Sequence, residues 1–448
     1  MMSFEIDIQT YQDLNIFQGS KSEFSVYSLF NKCKTVAGNQ KIQEMMRSPT
    51  NDLDVLEKRT AAFNFLSENV FYLDISNEQL DLILHYLNYG KRKLRGNLID
   101  ALAIFIKNKF HETQDYYVVK IGLKYLLHLI KSCYSLCDYL QQPHAPIHLK
   151  DIGEEMQDII EKLPLYKKRA FSIKPIKFYE LSKLDSLIRT RENIILLHNL
   201  LDCVHRVDAL QTIASMCSEK NFTLPKYLPG ANKLSVNIDG IYHPAIPSAV
   251  KNDVTINHEN HLTFLSGSNM AGKSSLLKSL GIAIYLAHIG FPVPASSMRT
   301  TIFNGLVTTI NIADNVQNGL SHYLSEVLRV KYLLNTLVER QKIFVILDEL
   351  FKGTNAKDAS EATEIVVDGF SRIKNSAFII SSHITELADR FEKSNISLMH
   401  MEHLMVEDKP VFTYQIKKGV TKDGIGMFFI YNENIPSLLY DAEKASIK

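Results

Sequence analysis

The sequence predicts a multidomain chain, α-helical in its first half and α/β with a mostly parallel sheet in its second. Three observations carry this. Apolar residues recur at three- and four-residue steps over long stretches of the first half. After Leu224-Pro225-Lys226-Tyr227-Leu228-Pro229-Gly230 the pattern changes to short apolar runs alternating with helical ones, the signature of a largely parallel sheet. Between one such run and one such helix lies a glycine-rich loop. At 448 residues the chain is too long for one core. We expect a helical domain over 1–228 and an α/β domain over 229–448.

In the helical half, Val118, Ile121, Tyr125, Leu129, Cys133 and Leu136 lie on one face. Leu197, Leu200, Val204, Val207, Leu210 and Ile213 do the same. Each pattern implies a helix of ~25 residues, hence ~37 Å long, about twice the usual length. Such paired helices serve as levers or arms, and the apolar stripes themselves read as ordinary bundle core. Between them, 141–189 holds shorter elements broken by Pro143, Pro146, Pro164 and Pro175. Two basic clusters stand in this half, one around Lys91 and Arg92, the other around Lys167, Lys168 and Arg169. Aromatic residues flank both, as in a grip on a phosphate backbone, although a solvated face is the commoner origin of such clusters.

In the α/β half, Gly267-Ser268-Asn269-Met270-Ala271-Gly272-Lys273-Ser274-Ser275 fits the phosphate-binding loop G-x-x-x-x-G-K-[ST]. Leu262, Phe264 and Leu265 before it read as a buried strand, and the residues from Lys273 to about Leu286 as a helix. Glycines let the backbone N–H groups turn toward phosphate oxygens, and the helix N-terminus adds positive partial charge. In such a loop Lys273 reaches the β- and γ-phosphates and the Ser274 hydroxyl ligates Mg²⁺. A nucleotide with Mg²⁺ is therefore expected.

The apolar run Ile343-Phe344-Val345-Ile346-Leu347 ends in Asp348-Glu349. A carboxylate there can hold the Mg²⁺ shell, a role for Asp348, while Glu349 is placed to orient or deprotonate the attacking water. A third strand, Ala377-Phe378-Ile379-Ile380-Ser381, leads to Ser382-His383. His383 could contact the γ-phosphate or the water, although a histidine in that position is more commonly an ordinary loop residue.

Composition narrows the classes. Hydrophobic residues make up 46% and charged residues 22%, an ordinary globular balance. With a formal net charge of only +1, a nucleic-acid surface must be a local patch. Five dispersed cysteines, with no second Cys/His pair near Cys133 and Cys137, read as reduced core thiols. No apolar run is long enough for a membrane span and no secretory leader is evident, so a cytoplasmic protein is expected.

Taken together, these motifs resemble the MutS family of DNA mismatch-repair ATPases. Ser266 to Ser275, with Asn-Met inside the loop, looks like that family's phosphate loop. His288-Ile289-Gly290-Phe291-Pro292-Val293-Pro294-Ala295 is similar to the segment after the loop helix. Asp348-Glu349, Gly353-Thr354, Ser382-His383 and Glu386-Leu387 follow in the family order. His243-Pro244 and Asn252-Asp253 match the start of that domain, Gly419 and Gly426 its end. Gly319-Leu320-Ser321-His322-Tyr323-Leu324-Ser325-Glu326 resembles a loop and helix start that crosses a dimer, where the serine faces the partner's γ-phosphate. Ser28-Leu29-Phe30, Gly38, Pro49 and Arg59, then Asp208-Ala209-Leu210, Ala214, Phe222 and Pro225, resemble the helical core and returning lever more loosely.

The resemblance implies a helical core and lever, a small clamp in the place of 141–189, and a P-loop ATPase domain of ABC type. It also implies DNA as partner, a homodimer, a downstream repair protein, nucleoid association, and catalytic roles for Glu349, His383 and Ser321. Several residues depart from the family pattern. The chain begins almost at the helical core, so the family's mismatch-reading Phe-x-Glu domain is expected to be missing. Phe110-His111-Glu112 spells that motif inside a helical region and reads as coincidence. Little chain follows Pro436 for a dimerisation tail. Phe351-Lys352 replaces a usual Gly-Arg, Asn315 an Asp, and Ala249 lies where an aromatic commonly stacks on adenine. The expected activity is thus a DNA-linked, Mg²⁺-dependent ATPase working as a dimeric clamp in mismatch repair or related DNA processing. Its rival is an ATP-binding clamp or scaffold with little turnover, serving recombination control or chromosome maintenance.

Overall fold

The structure, a computed structural model, describes residues 4–17, 24–71, 74–110, 113–163, 176–230, 233–268, 270–310, 322–383, 385–391, 396–407, 409–420 and 426–446. Its strands are β1 (Glu5–Ile6), β2 (Lys226–Tyr227), β3 (Ser235–Ile241), β4 (Asn252–Asn257), β5 (Leu262–Ser266), β6 (Ser297–Thr300), β7 (Gly305–Thr309), β8 (Ile343–Asp348), β9 (Ala377–Ser382), β10 (Ser397–Val406) and β11 (Lys409–Lys418). A seven-stranded sheet runs β1-β7-β8-β9-β5-β10-β11. Every neighbouring pair in it is parallel except the hairpin β10/β11. A four-stranded sheet runs β2-β6-β3-β4.

The central strands β5, β8 and β9 are buried at every position, which is why their sequences run apolar without alternation. Ile343, Val345 and Leu347 of β8 join a core with Val330, Leu333, Val367, Phe370 and Leu387 from helices His322–Glu339, Ala356–Ser371 and Thr385–Phe391. Ile346, pointing to the opposite face, lies beside helix Lys273–Ala287 at Gly281, where an added Cβ would also strike Leu14 at 2.5 Å. Each large side chain fully buried in these layers contributes about 1.5–3 kcal/mol of transfer free energy.

The chain forms two compact units: 1–28, 49–57 and 220–448 make one, and 29–48 with 58–219 the other. The single boundary expected at 228/229 is therefore not the division between these units. The reason lies at the start of the chain. Strand β1 pairs in parallel with β7. Asp7 caps helix Ile8–Asp13 by accepting from Thr10 N, and its carboxylate also pairs with Arg329. The buried Asp13 carboxylate accepts from Thr308 Oγ1 and Ile310 N, both at 2.8 Å. These partners lie about three hundred residues along the chain, beyond the reach of any local pattern.

The other unit is helical. Its two long helices are Gln114–Leu140, of 27 residues, and Arg191–Glu219, of 29; the second apolar stripe is buried throughout, whereas in the first Leu129, Cys133 and Leu136 are buried and Val118, Ile121 and Tyr125 only partly so. Gly122 lets Gln114–Leu140 approach helix Asn77–Leu87 closely, since a Cβ there would meet Tyr86 at 2.3 Å. Asp208 accepts from Thr35 N at 2.8 Å and Thr35 Oγ1 at 2.7 Å, tying Arg191–Glu219 to the start of helix Val36–Met46. The stretch 141–189 holds helices Ile147–Lys162 and Phe178–Ile188; its residues 164–175 lie outside the described residues. Cys133, Cys137 and Cys203 are buried free thiols, and burial raises the Cys137 thiol to about 12. No helix among the described residues is long and apolar enough to cross a membrane.

Candidate functional site

Strand β5 delivers the chain to the glycine loop, and helix Lys273–Ala287 carries it away. Gly267 (φ 147°) and Gly272 (φ 97°) adopt backbone conformations that L side chains avoid, and Met270 (φ 73°) is drawn into the same turn. At Gly272 a Cβ would come within 3.1 Å of the Tyr414 ring. Ala271 is fully buried under the loop. Asn269 lies outside the described residues.

Four side chains meet at the mouth of this loop. Lys273, only 4% exposed, donates from Nζ to Gly267 O at 2.7 Å and Ser268 O at 3.2 Å, and pairs with Glu349 at 3.4 Å. Burial lowers its pKa, while Glu349 opposes that shift. Ser274 Oγ donates to Asp348 Oδ2 at 2.5 Å. The register of β8 on β9 places Ser381 opposite Asp348, and its hydroxyl donates to Asp348 Oδ1. Glu349 stands just past β8 at φ 52°. Its N–H is held by Ser381 O at 3.1 Å. Around its carboxylate, Lys352 Nζ lies at 3.1 Å and His383 Nδ1 at 3.5 Å, both from Oε2. The His383 contact, ahead of Lys352 and Lys273, holds this carboxyl at about 2 against burial, which acts in the opposite direction.

The residues present fit a nucleotide and a divalent cation. Among the described residues no hydrogen-bond partner reaches Ser268 Oγ, which is buried beside the loop, and a buried polar atom left so costs free energy until it is bonded. Ser274 Oγ and Asp348 already touch, the oxygen donor pair that suits Mg²⁺. Next to the loop opens a cavity of about 540 Å³, within the range of small-molecule sites, lined among others by Tyr242, His243, Ile246, Met401 and Tyr414. Ala249 lines it too, and so does Tyr414, an aromatic that sequence reasoning overlooked. The signal available was the pair Phe412 and Tyr414 in the last hairpin. Asn252 holds Tyr414 in place: its Nδ2 donates to Tyr414 O at 3.0 Å, and its Oδ1 accepts from Ile416 N at 2.8 Å. His243, its pKa lowered to about 4 by burial, accepts at Nδ1 from Ala245 N and lies against Phe24.

Other expected residues fall elsewhere. Ser321 and Asn315 lie outside the described residues, as do Lys167, Lys168 and Arg169, and His111 and Glu112 of the Phe-x-Glu sequence. His288 is core: fully buried, it donates from Nδ1 to Ile284 O and accepts at Nε2 from Phe303 N. Phe351, in the place of a glycine, adopts φ 63° yet is 3% exposed, its ring packed on Tyr323. Lys91 and Arg92 are exposed in the helical unit. Their loop is tied down by Arg189, whose Nη2 donates to Tyr89 O and Lys91 O, and by buried Asp185, which accepts from Leu94 N at 2.6 Å.

Comparison with known proteins gives the family. The family model of MutS domain III matches residues 9–224, and that of MutS domain V matches residues 263–447. Relatives named DNA mismatch repair protein MutS include those of Aquifex pyrophilus (26% identical, covering 61% of this chain and 32% of the relative) and Persephonella marina (26%, 62% and 31%). That of Bacillus licheniformis is 26% identical over 69% of this chain and 37% of its own length. The matched stretch thus spans about a third of the length of these relatives. With both domain models matched in order along its length, the chain belongs to the MutS family, of which it carries domains III and V.

Proposed function

We propose that this protein is a Mg²⁺-dependent ATPase that works on DNA, with two copies acting together as a clamp in mismatch repair or a related DNA transaction. The observation that carries the reading is the meeting of Lys273, Ser274, Asp348 and Glu349 at the mouth of a left-handed glycine loop beside a cavity large enough for a nucleoside. Loop N–H groups and the N-terminus of helix Lys273–Ala287 bind phosphate oxygens. Lys273 turns from the loop carbonyls to the terminal phosphates. A Mg²⁺ ion held by Ser274 and Asp348 would neutralise charge on the phosphate oxygens. Ser381 fixes the second oxygen of Asp348, so that the carboxylate keeps one orientation. Glu349 orients the attacking water and takes its proton, and Tyr414 with Met401 covers the base.

Support for DNA as partner comes from the exposed Lys91 and Arg92 and from the relatives' mismatch-repair names. Support for a second copy comes from the apolar surface of helices Gly426–Asn432 and Ile435–Ser446, where Met427, Tyr431, Leu438 and Leu439 are exposed. One observation favours the slow-turnover alternative. His383, Lys352 and Lys273 all approach the Glu349 carboxylate and hold its pKa below the ordinary carboxylate range, which weakens it as a base, because general-base efficiency peaks when the pKa lies near the working pH. Phosphate release measured with and without Mg²⁺ and duplex DNA decides between the two. Mg²⁺-dependent release that DNA alters supports the ATPase; tight ATP binding without release supports the scaffold.

A further inference from the structure

Glu326 lies in the second turn of helix His322–Glu339 and is 3% exposed. A carboxylate so buried is costly unless hydrogen bonds satisfy it. Its two oxygens accept from consecutive backbone amides of the loop after β8: Oε1 from Lys352 N at 3.2 Å and Oε2 from Gly353 N at 3.4 Å. A second contact joins the same two segments, since Tyr323 packs on the buried Phe351 with ring centroids 5.9 Å apart. The loop so gripped carries Lys352, whose Nζ lies 3.1 Å from Glu349 Oε2. The other oxygen, Oε1, faces Lys273 at 3.4 Å.

We propose that Glu326 is a positioning residue for Glu349, acting through the loop amides and Lys352 to pin one oxygen of that carboxylate while the other stays turned toward the phosphate loop. The inference rests on the hydrolytic reading of the site given above. When Lys273 moves to a phosphate, Oε1 is freed for the water, while Lys352, held from behind, keeps Oε2 in place together with His383. Without the grip, residues 350–353 and the Lys352 ammonium would wander, and Glu349 would lose its aim. Misplacing a reacting group by about an ångström costs up to ~100-fold in rate. The grip also attaches the first turns of helix His322–Glu339 to the hydrolytic carboxylate, so a displacement of that helix start is felt at Glu349.

The test uses the full chain and Mg·ATP, with Glu326→Gln, Lys352→Met and the double variant. Glutamine keeps the shape but turns one acceptor into a donor facing an N–H. Each single variant is expected to bind ATP with unchanged Kd and to lose ~10-fold or more in kcat, and the double variant to be no slower than the worse single one. Hydrogen exchange on the nucleotide-free protein should show faster exchange at the Lys352 and Gly353 amides in Glu326→Gln. Unchanged exchange, additive losses in the double variant, or wild-type kcat in Lys352→Met would each overturn the role of Glu326. Lys352 is half exposed, so its variant does not depend on rebuilding a core. If the wild-type protein itself releases no phosphate, the hydrolytic reading falls and this role falls with it. An active wild type with an unaffected Glu326→Gln removes only the role of Glu326.

Discussion

Glu349→Gln separates binding from chemistry at the proposed site. The substitution keeps the side-chain volume and removes the charge that Lys352 and Lys273 now approach at 3.1 and 3.4 Å. Lys273 retains its bonds to Gly267 O and Ser268 O, so the loop keeps its shape. With no carboxylate to hold it, the lysine is more readily drawn to a phosphate, and ATP affinity should be equal or higher. Losing a positioned base costs ~10²–10⁴-fold in rate, or about 3–5 kcal/mol of barrier. Single-turnover phosphate release, run beside a fluorescent-nucleotide binding titration, reads both quantities. The pH dependence of stability gives a second signature. The Glu349 carboxyl sits at about 2 in the folded protein, below its ordinary 4.5. Its depressed value contributes stability that is fully present above about 4.5 and lost as pH falls toward about 2. Glu349→Gln should therefore lose less stability than wild type across that acid window. A variant that releases phosphate at the wild-type rate would refute Glu349 as the base, whatever its binding.

Three further outcomes follow from the structure. Asp13→Ala should destabilise the α/β unit by about 1–3 kcal/mol, because it leaves the buried Ile310 N–H without an acceptor; an unchanged thermal melt would show that the N-terminal segment contributes little. Phe351→Gly relieves a left-handed strain of about 1–2 kcal/mol but empties a buried site, for which losing a phenylalanine costs about 3–5 kcal/mol; denaturant unfolding should find a net loss, and a more stable variant would contradict the packing argument. Lys91→Glu with Arg92→Glu should weaken binding to duplexes of every sequence and flatten the log–log salt dependence, by about 0.9 per lost phosphate contact; unchanged band shifts would move the grip elsewhere.

Much of this site could be read from residue order alone, because its parts announce themselves locally. A glycine loop between strand and helix, and an acidic pair closing a fully apolar strand, are patterns of a few consecutive residues. What escaped reading depends on contacts distant in sequence or on backbone angles. Strand β1 is two residues long and has no periodicity to detect. Asp13 looks like any helix-end carboxylate until Thr308 and Ile310 arrive. Ser381 appeared as the last residue of a strand, whereas register turns it into the hydroxyl that orients Asp348. Tyr414 lies in an exposed hairpin and reaches the cavity because Gly272 leaves room for its ring. Phe351 contradicts the local preference for glycine at positive φ, and its burial against Tyr323 offsets that preference.

The central claim is that the loop 267–275 is an ATP site worked by Lys273. The most direct measurement is a calorimetric titration of Mg·ATP into the wild-type protein and into Lys273→Ala. The account expects saturable binding by the wild type. In the variant binding should be lost over the same concentration range, because the ammonium that would neutralise the terminal phosphates is gone, and with it the bonds to Gly267 O and Ser268 O. Equal affinity in the two proteins, or no binding by either, would contradict it.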